Sequence, residues 1–492
     1  MEDQADAEDR HLGQDGSGLV VGVRVDNGVK PSLPCLDMTV NTEPSRRPWN
    51  VLALLVVAQF MVVLDIAIVN VALPSIGRAL AFAAGDLAWV VTAYVLSSGG
   101  LLLVGGRLAD LVGRRTTFLM GLIGFTCASL ACGLAPSAGF LVGARAAQGA
   151  SAALMTPSAL ALVTATYAGE QRARALAIWG AVASAGIGVG AVAGGMLTSW
   201  LSWEWVFWVN VPVGAVAAAL TPRVIPRGAA GAGAGGRVAS VRDLDVPGAL
   251  TSVAGLVALV YAISEKQWAL AGVGVALLAV FAVVEARAAR PLLAPAVWRI
   301  PALTPGAVAM LCATGLIAGT FFLNSVQLQS GLGWPALDTG LGLLPLVAAI
   351  VLGVHVTAHA IGHLGSRALM VAGLALAAAG AVVSVGGSYA GDLLPGMLLL
   401  GLGFGLTLPA IQIAAMSGIG AHGAGAASGL LSTAHEVGAA LGVAVLSSAA
   451  GAAFDYGDGM VVAAAAAGAL AALALVAAPV VRPEAGERVM AH

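Results

Sequence analysis

The sequence predicts an all-α polytopic membrane protein of fourteen spans, and three observations predict it. Only 48 of the 492 residues are charged, 23 basic and 25 acidic, where a soluble globular chain carries about a quarter. Apolar runs of about 20 residues, each long enough to cross the hydrocarbon core as a helix, recur along almost the whole chain. The basic residues also fall unevenly between alternate loops. Length alone suits about three soluble domains, but 10% charge cannot supply their polar surfaces.

The N-terminal tail, residues 1–48, holds nine acidic and five basic side chains and no apolar core, a composition expected to be disordered. Its acidic start lacks the basic n-region of a signal peptide. A chain beginning at Met38, with the first span following at once, is an equally ordinary start. Spans are expected at 50–72, 86–106, 116–135, 139–164, 175–198, 205–222, 245–264, 269–287, 303–325, 338–358, 368–387, 393–415, 428–450 and 460–481. An even number puts both termini on one side. Loops on that side carry thirteen Arg between Arg107 and Arg367, against Arg78 and Lys266 on the other. The positive-inside rule then places both termini in the cytoplasm. A Gly/Ala-rich stretch, 223–243, reads as a flexible linker between the first six spans and the remaining eight.

Several functions are excluded or left without support. The two lysines, Lys30 and Lys266, precede Pro31 and Gln267, so no P-loop is present to cradle a nucleotide phosphate. Cys35, Cys127, Cys132 and Cys312 lack metal or redox spacing and read as apolar packing. His435-Glu436 continues Val-Gly-Ala, which is no zinc-protease motif. His355, His359 and His363 share one helix face, a polar stripe without acidic or Cys company. The expectation is a transporter without metal, cofactor or nucleic-acid partner, and not an enzyme.

Specific motifs then narrow the class. After the second span comes a Gly-permitted turn, Gly105-Gly106-Arg107-Leu108-Ala109-Asp110-Leu111-Val112-Gly113-Arg114-Arg115. It closely resembles the signature loop of the major facilitator superfamily. The resemblance implies a conformational latch built from Gly106, Asp110, Gly113, Arg114 and Arg115. Leu64-Asp65 through Asn70 to Pro74 resembles the first-helix motif of the fourteen-span drug–proton antiporters, the EmrB/QacA type, with Ala67 where Thr is usual. Arg145-Ala146-Ala147-Gln148-Gly149 is similar to a fourth-span motif that the family links to proton transfer. Gly186, Gly190, Gly194 and Gly195 keep the spacing of the antiporter motif, while Ala191 replaces its proline. Trp203 to Pro212 resembles the approach to span six, with Glu204 in place of Arg, and Gln329-x-x-x-Gly333 also fits the subfamily.

The resemblance covers residues of about 50 to 481 and implies the major facilitator fold: a six-helix bundle at 49–222, two extra central helices at 244–300 and a second six-helix bundle at 301–481. A short cytoplasmic tail, 482–492, closes the chain. The implied activity is proton-coupled efflux of small, largely hydrophobic or cationic organic compounds such as drugs or antibiotics, by alternating access. An exporter or proton-linked importer of a native metabolite is the other reading, which Ala191 keeps open. The Arg-over-Lys and Ala/Gly bias suits a GC-rich bacterial coding sequence and so a bacterial cytoplasmic membrane. The chain is expected to act as a monomer.

A charge at mid-bilayer costs roughly 2.5–3.5 kcal/mol on insertion scales, so it is kept where it has a partner or a task. Asp65 and Arg145 fall at similar expected depths, about 10 and 9 Å from the same face. They can pair if their helices face each other, and Asp65 is the expected proton-coupling site, poised between burial and a guanidinium neighbour. Asn70, Gln148, Gln329, His435 and Glu436 are the candidate polar residues of a substrate cavity.

Overall fold

The computed structural model describes residues 48–83, 86–225, 246–287, 300–386, 388–417, 419, 421–451 and 455–477. The expectations for the tails, for the linker and for the choice between Met1 and Met38 lie outside the described residues. The first bundle holds α1 (Pro48–Ala79), α2 (Trp89–Val112), α3 (Arg114–Gly133), α4 (Ala138–Thr166), α5 (Gly169–Trp200), the single turn α6 (Trp205–Trp208) and α7 (Asn210–Val224). The extra pair is α8 (Val246–Ser264) and α9 (Trp268–Arg287). The second bundle holds α10 (Leu303–Val326), the short α11 (Ala336–Gly342), α12 (Leu344–Ser384), α13 (Leu394–Met416), α14 (Ala421–Ala450) and α15 (Tyr456–Ala477).

Thirteen helical stretches among the described residues are long and apolar enough to span a bilayer. One of them, Ala336–Ser384, is 49 residues long. Drawn straight, the 41 residues of α12 reach about 60 Å at 1.5 Å per residue, twice the hydrocarbon thickness. The helix is not straight, because Gly365 takes φ +75° and ψ 161°. Gly353 and Gly373, on either side of it, both press on the same stretch of α13. A Cβ on Gly353 would stand 2.6 Å from the Leu402 carbonyl oxygen, and one on Gly373 2.5 Å from that of Gly403. The chain therefore reverses at Gly365, which completes the fourteen.

Proline inside the helices builds contacts between them. Proline lacks the N–H that would bond the carbonyl four residues back, so in lipid that carbonyl needs another donor. Pro74 lies inside α1, and the Asn70 carbonyl it frees accepts from Ser325 Oγ of α10 at 2.9 Å. Pro409 lies inside α13, and the freed Gly405 carbonyl accepts from Thr357 Oγ1 of α12 at 3.3 Å. Helix α1 thus runs seven residues past its expected end at 72, to Ala79.

The two bundles meet along a seam with two unlike sides. On one side α2 packs on α14, and the extra pair covers that contact. A Cβ on Gly100 would stand 2.8 Å from Val253 Cγ2, the Trp89 and Tyr261 rings lie 6.0 Å apart, and Ser448 Oγ donates to the Ile263 carbonyl at 3.1 Å. On the other side, α5 meets α11 at the face opposite the Arg-rich loops. There a Cβ on Gly195 would meet the Ala336 oxygen at 2.6 Å, and Ser199 Oγ accepts from the Leu337 N–H at 3.1 Å. Gly180, nearer the Arg-rich face, has nothing within 4 Å of its Cβ position. Trp200, Trp205 and Trp268 stand exposed at ends of spans on the opposite face, as membrane-interface anchors do.

Candidate functional site

Asp65, on α1, and Arg145, on α4, lie face to face in the first bundle. Arg145 Nη1 donates to Asp65 Oδ2 at 2.5 Å, and the two residues are 1% and 0% exposed. Gln148 is three residues after Arg145 and so shares its helix face. Its Nε2 donates to Asp65 Oδ1 at 2.8 Å, while its Oε1 accepts from Arg145 Nη1 at 2.7 Å. Asn210, the first residue of α7, donates to Asp65 Oδ1 at 2.9 Å. Ser129 Oγ of α3 accepts from Gln148 Nε2 at 2.7 Å, and Arg145 Nε donates to the Val90 carbonyl of α2 at 2.9 Å. Five helices are joined at one buried ion pair, whose remaining hydrogen-bonding capacity is largely filled, as burial of charge requires.

Aromatic faces complete the enclosure. The Arg145 guanidinium carbon lies 4.3 Å from the centre of the Tyr94 ring and 5.7 Å from that of Phe207, distances at which a cation is drawn to the π-face. The structure places Asp65 midway along α1, fourteen residues from Ala79, because the helix continues through Pro74. That is deeper than the span estimate of seven residues.

The signature loop is formed as a turn at Gly113, whose φ of +104° favours glycine. Arg114 Nη1 donates to the Ala161 carbonyl of α4 at 3.2 Å, and Arg115 Nη2 to the Pro222 carbonyl of α7 at 3.1 Å. Both arginines are thus committed within the first bundle. Asp110 is exposed and makes no ion pair among the described residues. Gly106 has open space where a Cβ would stand, whereas a Cβ on Gly105 would lie 2.0 Å from the Ala153 carbonyl oxygen. Close packing in this motif rests on Gly105.

The antiporter-motif glycines divide between two neighbours. Gly186, Gly190 and Gly194 repeat every four residues and lie on α1, against Val63, Ala67 and Ile68. Gly195 points elsewhere, to α11 of the second bundle. Helix α5 runs unbroken through buried Ala191, whose carbonyl oxygen would stand 2.2 Å from a Cβ on Gly340.

The five candidate cavity residues occupy three places. Gln148 is wholly buried in the ion-pair network. Asn70 and Gln329 lie at the seam on the face opposite the Arg-rich loops, where Gln329 Nε2 donates to the Val71 carbonyl at 2.8 Å. Gln329 also lines a cavity of about 1280 Å³ there, together with Arg78, Asp86, Lys266 and Trp334. His435 and Glu436 sit midway along α14, enclosed by protein yet reachable by water. Glu436 packs its Cβ against α2 at Gly99, where an added Cβ would be 2.7 Å away. The histidine stripe is exposed at His355, His359 and His363, with His359 Nδ1 2.8 Å from the His355 carbonyl. Ser129 and Tyr94 carry no sequence signal. Asn210 lies within the Trp203–Pro212 motif, two residues before its end, but nothing there points to Asp65.

Two helical bundles joined at a seam, a buried ion pair beside it and polar groups inside it define a membrane transporter. The sequence profile of the Major Facilitator Superfamily matches residues 55–443, and the chain belongs to that family. It is 39% identical over 448 residues to the cephamycin export protein CmcT of Amycolatopsis lactamdurans, covering 86% of this chain and 91% of that one. It is likewise 39% identical to the puromycin resistance protein pur8 of Streptomyces alboniger, over 82% of each chain, and 34% identical to a lincomycin resistance protein of Streptomyces lincolnensis, over 82% and 84%. The fold is similar to that of the human organic anion transporter MFSD10 (TETRAN), with TM-score 0.60, 18% identity and coverage of 88% and 99%.

Proposed function

We propose that this chain exports small, largely hydrophobic organic compounds, drugs or antibiotics among them, across a bacterial cytoplasmic membrane in exchange for entering protons. The observation that carries this reading is the Asp65–Arg145 pair, a carboxylate and its counter-ion sealed inside one bundle beside the seam. The functions for which the relatives are named, cephamycin export and puromycin resistance among them, support the direction and the substrate class. Placing the Arg-rich loops in the cytoplasm makes the face where α5 meets α11 the outer one.

Asp65 is the proton site. A proton on its carboxyl removes the charge that holds Arg145 and weakens the tie between α1 and α4. Asn70 and Val71, five and six residues further along α1, carry the seam bonds to Ser325 and Gln329. A shift of α1 therefore reaches the outer seam directly, as alternating access needs. A susceptibility panel in cells lacking other exporters finds a substrate, and proteoliposomes under an imposed pH gradient then test its transport. Asp65→Asn is expected to abolish gradient-driven export while the protein remains in the membrane. Full gradient-driven activity in that variant overturns the assignment, and uptake in place of export favours the importer reading that Ala191 keeps open.

A further inference from the structure

Three imidazoles follow one face of α12 from mid-membrane to the Arg-rich end of its first span. His355, His359 and His363 are all exposed. The chain reverses at Gly365, ten residues beyond His355, which puts that ring about 15 Å inside the span. A histidine at such depth faces protein or a water-filled space, and not lipid. Helix α13 is not the protein it faces. Gly353 and Thr357, two residues to either side of His355, both press on α13, and residues two apart on a helix point about 200° apart.

The facing element is α5. Gly188 of α5 meets α12, its Cβ position 3.5 Å from the Val347 side chain and 4.0 Å from that of Leu344. Lower numbers on α5 meet higher numbers on α12, because Gly195 already lies against Ala336. Eleven residues make about three helical turns. Counted from Gly188 and Leu344 toward the Arg-rich face, they reach Ala177 on α5 and His355 on α12. Eighteen residues, about five turns, reach Glu170 and Gly362. All four are exposed, and Gly180 and Gly362 have nothing within 4 Å of their Cβ positions. The two surfaces match in register without touching.

Their chemistry also matches. Glu170 Oε1 accepts from Arg174 Nη2 at 2.7 Å, and the carboxylate makes no other bond among the described residues. Gly362 leaves room for that carboxyl group, and His363, the next residue, has a ring without a hydrogen bond among the described residues. The signature loop offers no such tie between bundles, since Arg114 and Arg115 are bonded inside the first one.

We propose that the Arg-rich ends of α5 and α12 close on each other in the opposite state of the cycle, with Ala177 packed on His355 and the Glu170 carboxylate accepting from the His363 ring. The closure rests on the alternating-access part of the export reading. Helix α5 runs unbroken from Gly169 to Trp200. Tilting its Arg-rich end onto α12 therefore lifts Gly195 away from α11 at the other end. One helix couples the two gates, and Glu170 and His363 are positioning residues for the second.

The test uses the purified full chain in lipid nanodiscs, with the native cysteines replaced. Ala177→Cys with His355→Cys is expected to cross-link under mild oxidation. Ala177→Cys with Gly362→Cys lies about 10 Å out of register and is expected to cross-link at least about tenfold more slowly. Adding Glu170→Gln to the first pair is expected to slow its cross-linking about tenfold, the loss of a hydrogen bond to a charged group. His363→Asn should slow it equally, and both changes together no further. All these sites are exposed, so the substitutions leave the fold intact. Equal rates for the two pairs, no cross-link in the first, or losses that add overturn the closure. Cells expressing the unaltered chain are assayed in parallel for efflux. Cross-linking in register and dependent on Glu170, without any efflux, sinks the export reading and leaves the closure standing.

Discussion

Arg145 Nη1 lies 2.5 Å from Asp65 Oδ2, with α1 and α4 brought together at two residues that water does not reach. Removing one member of such a pair leaves a buried charge without compensation and costs about 3–5 kcal/mol, while removing both is often nearly neutral. Asp65→Asn and Arg145→Gln are therefore each expected to lower the melting temperature of the solubilised protein. The double variant is expected to recover much of that loss. Gradient-driven transport is expected to stay absent in all three. A double variant as unstable as the sum of the singles shows that the pair is not an energetic unit.

Glycine matters unequally within one loop. An added Cβ at Gly105 would lie 2.0 Å from the Ala153 carbonyl oxygen, and one at Gly106 meets nothing within 4 Å. Overpacking a tight contact costs typically 1–3 kcal/mol. Gly105→Ala is expected to reduce the folded protein recovered from membranes and its melting temperature, and Gly106→Ala to leave both unchanged. Fluorescence-detected size exclusion with a thermal ramp reads both quantities.

The pairing of Asp65 with Arg145 was legible in the sequence because charges are scarce inside these spans, so two at similar depth stand out. The fourteen spans were legible for the same reason, including the break before Arg367 where Gly365 reverses the chain. Depth along α1 was not, since a proline looks like a helix end, while lipid favours continuing the helix and bonding the freed carbonyl from α10. Gln148 was misplaced in kind. Its spacing puts it on the Arg145 face, but spacing does not tell whether that face meets a cavity or a bundle interior. Tyr94 was invisible, because an aromatic residue in an apolar helix looks like packing until its hydroxyl is found without a partner.

On the face opposite the Arg-rich loops, the seam is held by few polar bonds among the described residues, so its equilibrium is open to small changes. Ser325 Oγ and Gln329 Nε2 donate to the Asn70 and Val71 carbonyls at 2.9 and 2.8 Å. A hydrogen bond contributes about 1 kcal/mol net, and that is about a fivefold change in a two-state ratio. Ser325→Ala and Gln329→Ala are each expected to shift the population by about that factor toward the state open on this face. Spin-label distances across the seam, between α5 and α11, measure the shift. An unchanged distance distribution in both variants refutes the assignment of these bonds as the closure.

A steric wedge gives a stronger bias on the same face. An added Cβ at Gly340 would stand 2.2 Å from the Ala191 carbonyl oxygen, a contact between bundles and not within one. Gly340→Ala is therefore expected to leave each bundle folded and to prevent the seam from closing. Melting temperature should fall little, while the spin-label distance between α5 and α11 lengthens. Loss of folded protein in place of a longer distance shows that Gly340 packs within its own bundle.

The extra pair, α8 and α9, is the part of the molecule whose motion in the cycle is least constrained by the two-bundle plan. Helix α8 packs on α2 at two levels, Gly100 against Val253 at mid-span and Trp89 against Tyr261 at the end. Its hydrogen bond to α14, from Ser448 Oγ to the Ile263 carbonyl, lies at the same end as the Trp89–Tyr261 contact. The Cβ of Val253 would stand 3.7 Å from a Cβ on Gly100, close to the mean Cβ separation of a disulfide, about 3.8 Å. In a background with the native cysteines replaced, Gly100→Cys with Val253→Cys is expected to cross-link under mild oxidation. If α8 rides with the first bundle, the cross-linked protein keeps its gradient-driven transport. Transport that stops on oxidation and returns on reduction shows instead that α8 slides on α2 during the cycle, and that the extra pair belongs to neither bundle.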